Sequence, residues 1–235
     1  MQVRINKYLA LCGLASRRKS DEILASGGVR INGRPAKIGD TVDPDKDTIT
    51  YKGEQLLPEN RYEYYIVNKP MGVISTAKDE FGRKNVVSMV NSEQRLFPIG
   101  RLDQDSTGLI ILTNDGDLAL KLTHPRYHLP KVYEVTTEEP VSDEQLEKLA
   151  KGVAVYDKKT LPAETERIGY DSFRITLFQG MKRQIREMCK DVGLTVKMLN
   201  RISIGPIELG NLRVGKSRML TQEEVWQLKS EEFSA

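Results

Sequence analysis

The stretch Gly100-Arg101-Leu102-Asp103-Gln104-Asp105-Ser106-Thr107-Gly108-Leu109-Ile110-Ile111-Leu112-Thr113-Asn114-Asp115-Gly116 decides how the rest of the chain reads. A polar loop runs directly into a continuous apolar run, Gly108–Thr113, which Asn114-Asp115-Gly116 closes as a turn. An apolar run this short, bounded by turn residues, is a buried strand. Downstream, Asp117–Leu122 reads as a helix and Lys131–Thr136 alternates as a strand. Asp143–Lys151 has a charged amphipathic helical pattern, Phe173–Phe178 reads as a strand, and Gln184–Val192 as a helix with Gly193 beyond its end. Upstream, Tyr64–Asn68 is a strand ended by Lys69-Pro70. Strands and helices alternate irregularly, with hairpin-like turns in place of regular βαβ units. The fold class is therefore α+β with a mostly antiparallel mixed sheet.

The first 58 residues have a pattern of their own. Ile5, Tyr8, Leu9 and Leu11 fall on one helix face ending at Gly13. Ser16 is positioned to cap a second helix, Arg17–Ser26, stopped by Gly27-Gly28. Val29–Ile31, a tight Asn32-Gly33 turn, Thr41-Val42 and Thr48–Tyr51 then read as short strands. Leu57–Arg61 looks like a linker, so two domains are expected, 1–58 and 62–235.

The chain has 235 residues, 39% apolar and 29% charged, with a net charge of +3. This is ordinary globular composition. No apolar run reaches the ~18–20 residues of a membrane span, and the start, Met1–Lys7, lacks a signal-peptide core. A cytoplasmic location is the expectation. The two cysteines, Cys12 and Cys189, cannot build a disulfide framework or a Cys-x-x-Cys metal site.

Charge is unevenly placed. Residues 1–40 carry eight basic and three acidic side chains, and 182–218 carry nine and three. Basic blocks near both ends of an otherwise mildly acidic chain fit a polyanion binder, although a pair of solvated faces would look the same. Arg17, Arg18 and Lys19 in the first turn of a helix oppose its dipole, which favours a phosphate partner there. Lys182-Arg183-Gln184-Ile185-Arg186 opens a later helix equally short of acids at its start.

Several chemistries drop out. Asp103-x-Asp105-x-Thr107-Gly108 matches half of a calcium loop, but Asn114 stands where the twelfth-position Glu is required. His124 and His128 are separated by Pro125, which spoils a helical zinc pair. There is no nucleophile elbow, Walker loop or dinucleotide fingerprint. No metal and no cofactor is expected. What remains for chemistry is carboxylate, tyrosine and arginine. Tyr133 shares a strand face with Lys131 and Val135, a placement equally common for a core aromatic.

Gly100-Arg101-Leu102-Asp103 with Thr107-Gly108-Leu109 and Thr113-Asn114-Asp115-Gly116 resembles the ribosomal-RNA pseudouridine synthases of the RsuA/RluB/RluE/RluF type. The likeness extends over Asn68-Lys69-Pro70-Met71-Gly72-Val73, Lys131-Val132-Tyr133-Glu134-Val135, Gly180–Arg186 and Leu199-Asn200-Arg201-Ile202. Segment 4–52 resembles the αL-type RNA-binding module shared with small-subunit ribosomal proteins. The resemblance implies an isomerase that converts uridine to pseudouridine, with large-subunit (23S) rRNA preferred as target. Small-subunit (16S) rRNA, or a non-catalytic RNA-binding assembly factor, are the alternatives. It implies Asp103 as catalytic carboxylate, Tyr133 as active-site tyrosine and Arg186 as the basic partner of Asp103, and places no chemistry at Asp105. Arg4, Lys7, Arg17, Arg18, Lys19, Arg30, Arg101, Lys182, Arg183 and Arg201 are the expected RNA contacts. The expected partner is ribosomal RNA or an assembly particle, met by a monomer. One departure is Glu187, where the family usually has a further basic residue.

Overall fold

The structure is a computed structural model that describes residues 2–58, 61–77, 79 and 82–230. The chain divides into two compact units, Met1–Tyr62 and Glu63–Ala235. Residues 59 and 60 of the expected linker lie outside the described residues.

In the first unit, β1 (Val3–Arg4) leads into α1 (Ile5–Leu11) and α2 (Arg17–Ala25). Ser16 caps α2, its Oγ accepting from the Lys19 N–H at 3.3 Å. Short strands follow: β2 (Val29–Ile31), β3 (Arg34–Pro35), β4 (Thr41–Val42), β5 (Ile49–Tyr51) and β6 (Glu54–Gln55). β2 to β3 turns through Asn32 and Gly33, both at positive φ, as an Asn-Gly hairpin turn requires. Ile5, Leu9, Leu24, Val29, Ile31, Val42 and Ile49 form its core.

The second unit is built on one large sheet. Its elements are β7 (Tyr64–Lys69), β8 (Phe97–Ile99), β9 (Thr107–Thr113), α3 (Gly116–Thr123), β10 (Lys131–Thr137) and α4 (Asp143–Lys151). After these come β11 (Ala154–Val155), β12 (Lys158–Lys159), β13 (Glu164–Arg167), β14 (Ser172–Leu177) and α5 (Gln184–Asp191). β15 (Val196–Ile204), β16 (Ile207–Glu208), β17 (Ser217–Met219) and α6 (Gln222–Ser230) complete it. The sheet order is β13-β14-β10-β15-β9-β7-β17, with β16 on β15 and β8 on β9. Every pair is antiparallel except β15 with β9. No helix among the described residues is long and apolar enough to cross a membrane.

The apolar run that opened the reading is β9, covered on both faces. Leu109 and Ile111 enter a core with Leu118 and Leu122 of α3 and Leu228 of α6. Ile110 and Leu112 enter a second core with Val73, Val86 and Leu96. A strand buried on both sides shows no alternation, which is why its pattern is continuous. The Asn114-Asp115-Gly116 turn is structural. Asn114 Oδ1 accepts from the Glu63 N–H at 2.8 Å. Asp115 caps α3 through the Leu118 N–H, and Tyr64 Oη donates to it. A third core gathers Val135, Leu149, Phe173, Ile175 and Leu177 with Ile185, Met188 and Leu199, packing α4 and α5 on β10 and β14.

Gly108 fixes how β9 meets β15. The parallel register is Asn200↔Thr107 and Arg201↔Gly108. Gly108 has φ +104°, and a Cβ there would lie 2.2 Å from the Arg201 carbonyl oxygen and 2.6 Å from its nitrogen. Backbone blocks the space, so no rotamer change relieves it. Gly108→Ala is expected to cost roughly 3 kcal/mol or more. That predicts a melting temperature lower by roughly 6–12 °C, read by calorimetry; an unchanged midpoint would show that β9 and β15 are not locked in this register.

Candidate active site

The loop between β8 and β9 carries Asp103 and Asp105 to the entry of β9. Its inner flank rests on the turn after β7. The Gly72 N–H donates to the Gln104 carbonyl at 2.8 Å, and Gln104 Nε2 returns a bond to the Gly72 carbonyl at 3.2 Å. Ser75 Oγ donates to the Leu102 carbonyl and accepts from the Leu102 N–H. Lys69 lies fully buried beneath this contact, its Nζ donating to the carbonyls of Val73 (2.8 Å), Pro70 (3.1 Å) and Gln104 (3.5 Å). Burial pushes its amine down to about 8, against the opposing pull of Asp105 and Asp103, with Arg201 adding to the depression. The Asn68-Lys69-Pro70-Met71-Gly72 motif therefore forms the bed of the aspartate loop. Lys69 belongs to the site but reads as ordinary from sequence; the one hint was a lysine beside a proline at the end of an apolar strand.

The outer flank is α5. Arg183 precedes the helix in the left-handed region, φ 50° and ψ 29°, a conformation costing a non-glycine residue ~1 kcal/mol or more. It grips Asp105 with both nitrogens, Nη1–Oδ1 at 3.2 Å and Nη2–Oδ2 at 3.0 Å. Arg186 Nη2 lies 3.3 Å from Asp105 Oδ2 and donates to the Asp105 backbone carbonyl at 3.0 Å; its Nη1 donates to the Val196 carbonyl. Partial burial works to raise the Asp105 carboxyl, but the Arg183 hydrogen bond and the two guanidinium charges hold it below the usual carboxylate range.

Asp103 is different. Among the described residues its nearest cation is Arg183 Nη1, at 4.0 Å, while its exposure is close to that of Asp105. The expected Asp103–Arg186 pairing is thus corrected. Arg186 is committed to Asp105, because the α5 backbone sets Arg186 against the second carboxylate of the Asp-x-Asp loop and leaves the helix-opening Arg183 between the two. Asp103 is held through its neighbours while its own oxygens stay open.

Tyr133 sits on β10, half-buried against the third core. It faces Arg201 of β15 where the register slips, Val132 pairing with Ser203 and Tyr133 with Arg201, so that Ile202 is the extra residue of a bulge. Bulges re-aim side chains beside functional sites. Here Arg201 turns under the sheet, only 2% exposed. Its Nε donates to the Leu109 carbonyl at 2.7 Å, Nη1 lies 3.5 Å from Tyr133 Oη, and its guanidinium carbon is 5.9 Å from the ring centroid. Arg201, expected as an RNA contact, is thus placed in the interior. Bound to a backbone carbonyl and packed on a ring, it supports Tyr133 from behind.

The other basic residues are placed as follows. Arg4, Arg17, Arg18, Arg30, Arg101 and Lys182 are exposed; Lys7 and Arg183 are half-buried. Lys19 is exposed but paired with Glu22. Among the described residues no three His, Cys, Asp or Glu side chains converge to hold a metal ion.

Comparison with known proteins places the chain in a family. A family model for RNA pseudouridylate synthase matches residues 63–191, and one for the S4 domain matches residues 3–49. The chain is 40% identical over 228 residues to the dual-specificity RNA pseudouridine synthase RluF of Escherichia coli (strain K12), covering 96% of this chain and 78% of that one. It is 36% identical over 234 residues to ribosomal large subunit pseudouridine synthase B of Bacillus subtilis (strain 168), covering 97% and 96%. A crystal structure of a pseudouridylate synthase superposes with a TM-score of 0.72 at 29% identity, over 96% of this chain and 99% of the other.

Proposed function

The chain belongs to the RNA pseudouridylate synthase family, and from that premise we propose that it isomerises uridine in large-subunit ribosomal RNA with Asp103 as its catalytic carboxylate. The observation that carries the assignment is the contrast within one loop. Asp105 is neutralised by two arginines at 3.0 and 3.3 Å, whereas Asp103, similarly half-exposed, has its guanidinium neighbour at 4.0 Å and, among the described residues, no side-chain hydrogen bond, so its oxygens are uncommitted.

The reaction breaks the bond from ribose C1′ to uracil N1 and forms one from C1′ to C5. The proton on C5 is lost to solvent and N1 gains one, so no atom or electron is left over. Such an isomerisation calls for no redox partner or phosphoryl donor. It calls for a carboxylate that attacks the sugar or removes a sugar proton, and Asp103 is free for either. It also calls for a surface that holds the base outside the RNA stack, since unstacking costs a few kcal/mol. Tyr133 offers a ring face backed by Arg201, and stacking on it would return ~1–3 kcal/mol.

The S4 domain supplies a second RNA contact, through the exposed Arg17 and Arg18 at the start of α2 and Arg30 on β2. Large-subunit rRNA is favoured by the match to the Bacillus subtilis enzyme over nearly the full length of both chains. Pseudouridine mapping across 23S rRNA, 16S rRNA and tRNA from a strain lacking this gene tests the target. Loss of a discrete 23S position is expected; loss confined to 16S rRNA or tRNA would contradict it.

Tyr133 is testable apart from Asp103. Tyr133→Phe keeps the face and should hold RNA as well as the wild type, while Tyr133→Leu should bind five-fold or more weakly, at about 1 kcal/mol or more of lost stacking. If the hydroxyl moves a proton, Phe will bind normally but turn over slowly. Wild-type behaviour of both would return Tyr133 to a packing role.

A further inference from the structure

Lys131 opens β10, two residues before Tyr133 and on the same face of the strand. It is half-buried, and its Nζ donates to a single acceptor, the Leu129 carbonyl at 2.8 Å. An ammonium has three protons to give. Among the described residues no carboxylate forms an ion pair with it. The charged group that acts on it is another cation, Arg201, which reinforces burial in pushing its amine down to about 8.

Arg201 is itself unbalanced. It is 2% exposed, and its Nη2 is buried without a hydrogen-bond partner. Lys131 on β10 and Arg201 on β15 thus flank Tyr133 on neighbouring strands, Lys131 two residues before it and Arg201 opposite it, partly withdrawn from water, and among the described residues neither has an ion-pair partner. Holding like charges in that way is unfavourable. By contrast, Arg183 and Arg186 approach one another around a carboxylate, Asp105. A site that keeps an uncompensated cation pair is built for an anion that arrives later.

We propose that Lys131 is the ligand of a backbone phosphate of the RNA, at or next to the nucleotide stacked on Tyr133, with Arg201 behind the ring supplying further positive charge. This deepens the functional reading above and rests on it for the identity of the stacked base. The division of labour follows from exposure. Lys131 can reach an incoming group with two unused protons. Arg201 is spent on Leu109 and Tyr133 and acts through its charge. Lys131 makes a point-charge contact, which suits a phosphate approached from one side. A grip on the backbone beside the flipped base would fix the ribose relative to Asp103, where a small misplacement is costly.

The test measures binding of the full chain to in-vitro-transcribed 23S rRNA across a salt series, for wild type, Lys131→Met and Lys131→Arg, with thermal melting of each. Lys131→Met should weaken binding several-fold and flatten the slope of log affinity against log salt by about 0.7–0.9, the value for one phosphate contact. Lys131→Arg should restore most of both. If Met does not fold, Lys131→Gln, which keeps a polar tip, is measured in its place and read the same way. An unchanged slope on removing the charge would overturn the proposal. So would a folded Lys131→Arg protein whose affinity and salt slope match those of Lys131→Met, since restoring the charge would then restore no contact. Because the binding series needs no turnover, its failure is separate from a failure of the wild-type protein to form pseudouridine.

Discussion

Asp103→Asn should leave the chain folded and bound to RNA while pseudouridine formation falls by roughly 10³-fold or more. Asparagine keeps the shape of the side chain and removes both the nucleophilic oxygen and the base, and loss of acid–base or covalent catalysis is typically worth 10²–10⁴. Folding should survive, because among the described residues the Asp103 side chain makes no hydrogen bond, and its nearest charged neighbour is 4.0 Å away. The loop itself is held by main-chain bonds to Gly72 and by Ser75. Turnover near the wild-type rate would remove Asp103 from the chemistry.

Asp105→Asn is the second large effect. The resemblance to the family assigned this residue nothing, but the structure makes it the anchor of both α5 arginines. Removing its charge frees Arg183 from a two-point grip and Arg186 from an ion pair at 3.3 Å. Arg183 is the group nearest Asp103, so the carboxylate should lose its orientation. A displacement of about 1 Å at a reacting group can cost 10²-fold, and that is the expected fall in kcat, with KM changed less. Asp105→Glu should recover part of the loss, because it keeps the charge. A merely structural role would lower the melting temperature and leave the kcat of the remaining folded protein intact; wild-type kinetics in Asp105→Asn would dissolve the link between the two aspartates.

The strands and helices with strong local signals were legible in the sequence. Gly108–Thr113 showed as β9 because burial on both faces writes an unbroken apolar run. Ser142 and Gln145 form a capping box at the start of α4, and the helix spans Asp143–Lys151 as its charge pattern required. β15 carries no strand signal in the sequence, although it is central to the sheet. Its Lys197, Asn200, Arg201 and Ser203 interrupt any period-two pattern, and the bulge at Ile202 breaks it again. The polar residues that hide the strand are the ones that serve the site: Asn200 Oδ1 accepts from Thr107, and Arg201 backs Tyr133.

The site was legible as a set of residue types and much less so as a set of contacts. Asp103, Arg183, Arg186 and Tyr133 could be named from their motifs. Which arginine meets which aspartate could not, because the two carboxylates are two residues apart and the choice is made by a left-handed residue at the head of α5. Arg201 is expected from the sequence only as an RNA contact; the register of β10, β15 and β9 puts it beside the Tyr133 ring. Lys69 gave no sign of complete burial, since its ammonium is satisfied by carbonyls that the chain brings together only when the Gly72 turn meets Gln104.

The most direct measurement is tritium release. Ribosomal RNA labelled at C5 of uridine, taken from a strain lacking this gene, is incubated with the purified full chain. If the chain forms pseudouridine through Asp103, tritium will appear in water up to a fixed number of equivalents per rRNA, and Asp103→Asn will release almost none. No release by the wild-type protein from either ribosomal RNA, or equal release by the Asp103→Asn protein, would contradict the account.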